Sequence, residues 1–469
     1  MKQFFTIFTF TCLAILLVTS CSIDSINECP SKEKEISLEQ TMLSQECCTN
    51  GFNVTPTMLN EYLRLFSKHK KVEYIDVIIE EGDTLAYYVQ YSNNGGWDLI
   101  AADTRVEPIL SSSPSNSIED LNEDATDVAM GILKSVKDIK TGTEMSENSI
   151  WAFIRPSPVR TKQNTSGFRG LTEGMWIPID TVFAYDTIAP NRIIDTKWGQ
   201  ESPWDQYTPL DPDYYFMINT YVGCVPVAVG QILYRYLYLT DGLYEIPDVV
   251  TMDNTTGLPQ FVSYTTDWSN MAKDSVNYSA AEKSKTAKFL SWLGYQMNTI
   301  YRSIPPGSST YVSEAQSLMS NYLIFDSDTT YHSSVILASL MNNMPVYVSA
   351  DAQNGTRHSF IIDGYKKIRY QVVIRYQFDP YHYVTEEEYY SLPSWMFEWP
   401  SMGEFPDYDP DKDPAIKPVA TTLFENTYLL MNWGKDGNGD DVIYSSSSTN
   451  NWGYSRVKKI FYNFHRNNQ

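Results

Sequence analysis

Gly223-Cys224-Val225-Pro226-Val227-Ala228-Val229-Gly230-Gln231-Ile232-Leu233-Tyr234 holds the last of six cysteines, the other five standing at positions 12, 21, 29, 47 and 48. Pro226 has no amide hydrogen to lose and suits a first helical turn, so the apolar run behind it reads as a buried helix over Cys224 to Tyr238. The thiol then lies at the helix N-terminus, where unpaired amide hydrogens favour its thiolate. The stretch by itself leaves two readings open. A cysteine in an apolar segment is as often an inert core residue as a nucleophile.

Working outward, Asp195 to Pro209 is a polar loop bearing Trp198 and Trp204, and Glu282 to Ile300 reads as a second helix with Phe289, Leu293 and Met297 on one side. From Pro345 the period changes to that of strands: one at Val346 and Val348, then Ser359 to Tyr365, Tyr370 to Phe378, and Tyr428 to Asn432. Helices followed by an antiparallel sheet make an α+β domain with its cleft between the two parts. Nearer the N-terminus, Thr57 to Lys68 reads as a short amphipathic helix. Lys71 to Glu80, Leu85 to Tyr91 and Trp97 to Ala102 follow as a meander punctuated by Glu81-Gly82-Asp83 and Asn93-Asn94-Gly95-Gly96. Val128, Ile132, Val136 and Ile139 place one stripe on a further helix. These elements form a small α+β unit.

Between the units, Arg155 to Glu173 contains Pro156, Pro158, Gly167, Gly170, three arginines and a lysine. That composition marks an exposed connection, either a processing region or a plain linker. The expected division is a leader at 1–20, an N-terminal unit at 21–154, the connection at 155–178 and the larger domain at 179–469.

With 469 residues, 42% of them hydrophobic, the chain is long enough for two or three domains. A formal net charge of -22 excludes nucleic acid and anionic lipid headgroups as partners, because both demand a basic surface. Lys2 and the apolar run Phe4 to Val18 read as a signal peptide. Val18-Thr19-Ser20-Cys21 resembles the lipobox of bacterial lipoproteins, which makes Cys21 the expected lipidation site and lipid the anchor of an exported protein at the outer membrane or cell surface. An ordinary signal peptide or an uncleaved anchor is the alternative. Cys47 and Cys48 are adjacent, a spacing that rarely bonds internally, so they pair with Cys29 or stay free.

Chemistry is easiest to audit through the five histidines. His358 stands where the strand Ser359 to Tyr365 begins, 134 residues after Cys224, the order expected of a thiol hydrolase in which imidazole accepts the thiol proton. His69, His332, His382 and His465 lack such a setting. Asn432-Trp433-Gly434 closes a strand, so Asn432 is the expected acceptor that orients the imidazole, with Trp433 covering that bond from water. Gln200, in the polar loop, is the expected side-chain donor of an oxyanion hole completed by the Cys224 amide.

Together, Trp198-Gly199-Gln200 with Ser202-Pro203-Trp204, Gly223-Cys224-Val225 with Gln231-Ile232, His358-Ser359-Phe360 with Ile362-Asp363-Gly364, and Asn432-Trp433-Gly434 resemble the streptopain family of cysteine endopeptidases. Gly96-Trp97 through Arg105-Val106-Glu107-Pro108 is similar to part of that family's propeptide. The resemblance implies a papain-like catalytic domain with Cys224 as nucleophile, His358 as base, Gln200 in the oxyanion hole, and Asn432 and Trp433 beside the histidine. It also implies an inhibitory propeptide, an activating protease and protein or peptide substrates. The chain departs from the family after the tryptophan, where Lys435 replaces the usual second aromatic and Asp440-Asp441-Val442 the usual aspartate-glycine pair.

No cofactor is expected, and the chain is expected to act as a monomer. Asp436, Asn438 and Asp440 alternate as in a calcium loop, yet the glycine and distant glutamate of such a loop are missing, so they read as an acidic surface turn. Two other functions share the same residues: a silent binding or inhibitor protein of this fold, and a thiol acyltransferase.

Overall fold

The computed structural model describes residues 52–67, 70–114, 117–142, 148–154, 171–172, 174–188, 192–211, 218–238, 249–252, 259–262, 268–303, 307–352, 357–379, 383–384, 416–446 and 454–467. The leader, Cys21, Cys29, the Cys47-Cys48 pair, His69, His382 and most of the basic connection lie outside them.

Helix α1, Pro56–Phe66, starts where the Thr55 side chain accepts from the Met58 amide at 3.3 Å, with Pro56 as its first residue, and buries Met58, Leu59, Tyr62, Leu63 and Leu65. The meander follows as β1 (Val72–Glu80), β2 (Asp83–Tyr91), β3 (Trp97–Ala101) and β4 (Ile109–Ser113). Helix α2, Glu123–Thr141, is capped by Asn122, whose Oδ1 accepts from the Ala125 amide at 2.8 Å. Its expected stripe is buried at Val128, Ile132 and Val136. Helix α3, Ser149–Ile154, drives Trp151 into the core, where its indole donates to the Val106 carbonyl at 3.0 Å.

The larger domain contributes β5 (Leu171–Thr172), β6 (Met175–Ile188), α4 (Cys224–Tyr238), β7 (Val249–Met252), β8 (Pro259–Val262) and α5 (Ala280–Gln296). After these come α6 (Val312–Ser320), β9 (Leu323–Asp328), α7 (Ser333–Met341), β10 (Val346–Ala352), β11 (Arg357–Asp379), β12 (Tyr383–Val384), β13 (Ile416–Asn432), β14 (Ile443–Ser445) and β15 (Tyr454–Arg466). The boundary expected at 178 falls inside β6.

The expectation of separate strands at Ser359–Tyr365 and Tyr370–Phe378 is corrected: both belong to one strand, β11. Its first residues pair with β10, its later ones with β6, and β13 runs along the other side from Ile361 to Gln377. Lys366, Lys367 and Arg369 look like a break in the sequence, but Glu425 on β13 accepts from Lys367 at 3.1 Å and from Arg369 at 2.9 Å.

All these strands are antiparallel, and the N-terminal meander is not a separate sheet. Ser112 and Ser111 of β4 pair with Ile443 and Tyr444 of β14, giving the order β1-β2-β3-β4-β14-β13-β11-β10-β15-β9 with β6 also on β11. The result is an α+β fold around an open antiparallel sheet. Strand alternation divides its faces. Val346, Val348, Phe360, Ile362 and Met431 face a core shared with α2 and α7, whereas Tyr347 and Ile361 face the core built on α4, α5 and α6. Residues of the N-terminal unit and of the larger domain therefore lose water together, against one another.

Candidate active site

Helix α4 begins at Cys224, as the sequence indicates. Gly223 holds φ +94, a left-handed turn that L side chains rarely adopt, and its carbonyl accepts the first helical bond from Val227 at 3.3 Å. The helix is apolar and buried, while Cys224 itself is half-buried and in no disulfide. Accessibility at one end of a buried helix suits a nucleophile better than a core residue.

Two residues upstream of the thiol, the Val222 amide donates to the Gln200 carbonyl at 2.9 Å. That bond places Gln200 beside the start of α4. Its side chain is half-buried and makes no hydrogen bond within the described residues, so its amide is available to a ligand oxygen. The loop around it is pinned by two indoles: Trp198 donates to the Ala272 carbonyl at 2.7 Å, and Trp204 donates to Asp436 at 2.5 Å.

His358 lies on β11 opposite Ala350 and is 6% exposed. Its Nε2 is 3.1 Å from the Trp433 carbonyl oxygen. A carbonyl only accepts, so Nε2 carries the hydrogen and Nδ1 is left as the basic nitrogen. The ring packs against both Phe360 and Trp433, with centroids at 6.1 and 6.2 Å, and those two rings contact each other at 4.8 Å, so the three form one aromatic cluster. Next to it in the chain, Ser359 accepts a hydrogen bond from the buried Tyr347 hydroxyl at 2.9 Å. Burial first, and the nearby Cys224 second among the raising influences, push the Tyr347 phenol above its usual range. Cys224 and the start of β11 thus share one neighbourhood, consistent with the packing of α4 on that strand.

The side chain of Asn432 makes its hydrogen bonds to Gln231, Thr196 and Gly434. Its Oδ1 accepts from Gln231 Nε2 at 3.1 Å and from the Gly434 amide at 3.2 Å, while its Nδ2 donates to the Thr196 carbonyl at 2.8 Å and to Gln231 Oε1 at 3.1 Å. The imidazole bonds to the backbone carbonyl of Trp433. Asn432 grips the other side of that same peptide unit, because Gly434 N–H and Trp433 C=O belong to one amide. Gly434 has φ +66, and a Cβ there would meet Val227 Cγ1 at 2.9 Å, so this turn lies directly on α4.

The acidic-turn reading is also corrected. Asp440 is buried, and its Oδ1 accepts from the Trp433 amide at 3.0 Å. Burial, with Asp363 nearby, raises it to about 7 against the pull of Arg192 and Lys197. Burial likewise raises Asp363 to about 6, although its Oδ1 pairs with Arg192 Nη1 at 2.6 Å. Among the described residues no group of His, Cys, Asp or Glu is arranged to hold a metal ion, and no helix is long and apolar enough to cross a membrane.

Sequence reasoning missed the roles of Gln231, Asp440 and Tyr347. Gln231 gave a usable signal: an amide on the buried face of an apolar helix requires a partner. Of the other described histidines, His332 is exposed beside Asp328 at 3.9 Å and His465 is exposed on β15.

The family model described as the Peptidase C10 family matches residues 198–377. No curated protein matches the chain. Among solved structures it is similar to a fragment of Prevotella intermedia prointerpain A, at 15% identity and a TM-score of 0.46, covering 84% of this chain and 98% of that one. It is also similar to the active interpain A cysteine protease of Prevotella intermedia, at 18% identity and a TM-score of 0.36, covering 58% of this chain and 93% of that one.

Proposed function

From the premise that this chain carries a C10-family cysteine peptidase domain, a cysteine-type endopeptidase acting on protein or peptide substrates, we propose that Cys224 is its nucleophile and His358 its base. His358 Nδ1 takes the thiol proton, and the thiolate attacks the scissile carbonyl. The tetrahedral oxyanion is received by the Cys224 amide and the Gln200 side chain. Collapse expels the amine, which takes its proton from the imidazolium, and leaves a thioester on Cys224 that water hydrolyses. A preorganised donor such as Gln200 contributes about 3 kcal/mol, or roughly a hundredfold in rate.

One observation carries the reading: a half-buried thiol at the N-terminus of a buried helix adjoins a strand whose imidazole gives its Nε2 hydrogen to a backbone carbonyl, the tautomer in which Nδ1 is the basic nitrogen. In this reading the two-part papain-like arrangement consists of the α4–α6 core on one side and the sheet with His358 on the other.

The regulation proposed is that of a zymogen. Residues 21–154 form the inhibitory propeptide, 155–178 contain the processing region, and Cys21 carries the lipid of an exported protein that loses its anchor on processing. Support comes from the position of the N-terminal unit, which shares a sheet and a core with the larger domain.

The test is active-site labelling. Limited proteolysis near Arg155 to Glu173 is expected to yield a form alkylated at Cys224 by an electrophilic epoxide, with Cys224→Ala abolishing both labelling and peptide hydrolysis. Hydrolysis persisting in that variant would overturn the assignment.

A further inference from the structure

Gln231 is the residue of the Cys224 helix that the proposed reaction leaves unused, and it is 1% exposed. Burying a primary amide costs free energy unless its atoms are paired, and an apolar side chain would fill the same space without that demand. Here the pairing is unusually directed. Gln231 Oε1 accepts from Thr196 Oγ1 at 3.0 Å and from Asn432 Nδ2 at 3.1 Å, and Gln231 Nε2 donates to Asn432 Oδ1 at 3.1 Å.

The partner matters because of what it holds. Asn432 Oδ1 also accepts from Gly434 N–H, and the carbonyl of that same peptide, on Trp433, takes His358 Nε2–H. A continuous chain of hydrogen bonds therefore runs from the helix that carries the thiol to the ring that would deprotonate it. Gln231 lies seven residues beyond Cys224, close to two full turns, so it shares that residue's side of the helix at about 10 Å along the axis. A peptide whose N–H is engaged also becomes a better acceptor at its C=O, which favours the imidazolium form of the ring.

We propose that Gln231 is a positioning residue: through Asn432 it sets the Trp433–Gly434 peptide, and with it His358, in register with the helix that carries Cys224. This rests on the Cys224–His358 reading above. The network is enclosed by charge on other elements, which any pH measurement must include: Asp440, accepting from the Trp433 amide, Asp363 on β11, and Arg192, whose Nη1 donates to the Met431 carbonyl at 3.1 Å. Lys197 and Asp441 lie further out and act through space on this cluster.

The experiment is the pH profile of Cys224 alkylation by iodoacetamide in the full chain, read on the Cys224 peptide by mass spectrometry. It is accompanied by kcat and KM for a peptide substrate after limited proteolysis, and by urea denaturation. Gln231→Met keeps length and removes the hydrogen bonds. Gln231→Glu keeps the two acceptor contacts. Gln231→Met is expected to fold, to move the acid limb of the alkylation profile upward by half a pH unit or more, and to lower kcat roughly tenfold with KM within about twofold. Gln231→Glu is expected to fall between it and the parent. A folded Gln231→Met with the parent's profile and kcat overturns the proposal. So does failure of Gln231→Met to fold when Gln231→Glu folds and behaves as the parent, and so does failure of both to fold, since the role is then structural. Cys224→Ala and His358→Ala separate the two readings: if they leave hydrolysis intact, the dyad itself falls, whereas if they abolish it and Gln231→Met is unaffected, only the role of Gln231 falls.

Discussion

The side-chain amide of Asn122 donates to the carbonyl of Asn438, so the residue that caps α2 also grips the glycine-rich loop following Trp433. Asn122→Ser separates the two tasks, because serine still caps but is too short to reach the loop. Stability is expected to stay within about 0.5 kcal/mol of the parent, while Cys224 in the uncut chain is labelled faster. Asn122→Ala is expected to cost a further ~1 kcal/mol through the lost cap. Urea denaturation and the labelling rate measure the two effects separately.

Gln200→Ala removes the expected oxyanion donor without touching the hydrogen bond from Val222, which uses the Gln200 backbone. kcat is expected to fall about a hundredfold or more with little change in KM, because the lost contact is made chiefly in the transition state. Steady-state kinetics on a processed preparation decide this.

Gly434→Ala places a methyl 2.9 Å from Val227 Cγ1 at a residue with φ +66. Strain of roughly 1–2 kcal/mol from the left-handed backbone adds to the clash. Adding Val227→Ala is expected to relieve the clash but not the backbone strain, so the double variant recovers part of the activity lost in Gly434→Ala. A double-mutant cycle in kcat/KM reads the coupling.

Asp440 and Asp363 are raised to about 7 and about 6, above the ordinary carboxylate value, with burial the first cause in both. The folded state then holds protons that the unfolded state has released. The stability these groups contribute is complete below about pH 4 and is lost as the pH rises through about 6 to 7. Each group supplies at most about 1.4 kcal/mol per pH unit within that window. Asp440→Asn is expected to lose less stability than the parent between about pH 4 and pH 8, as measured by urea midpoints.

The local features of this fold were legible in the sequence and the long-range ones were not. The bounds of α4 followed from Pro226 and the apolar run after it, and the first three meander strands from their turn residues. Strand β11 read as two because Lys366, Lys367 and Arg369 interrupt its pattern, and only Glu425 on a distant strand explains their place within it. Asp440 read as surface because it lies in a glycine-rich turn. It is buried beside Arg192, which only the fold brings near. Residue type and order suffice to propose Cys224, His358 and Gln200, whereas the hydrogen bonds of Asn432 run to Gln231, and a reading limited to neighbours in the chain cannot see a partner 201 residues away.

The junction of β4 with β14 has only two registered residue pairs, and β14 is three residues long. Parting the two units there breaks few ladder bonds and leaves an exposed edge too short to template the addition of another chain. The adhesion between them resides in the apolar faces of α2, β2 and β3 lying against Trp433, Val442 and Tyr444. Separating the N-terminal unit from the larger domain would therefore be a wetting event more than an unzipping: its free-energy cost is set by how much greasy surface meets water, and it is expected to respond less to hydrogen-bond competitors than to agents that solvate hydrocarbon.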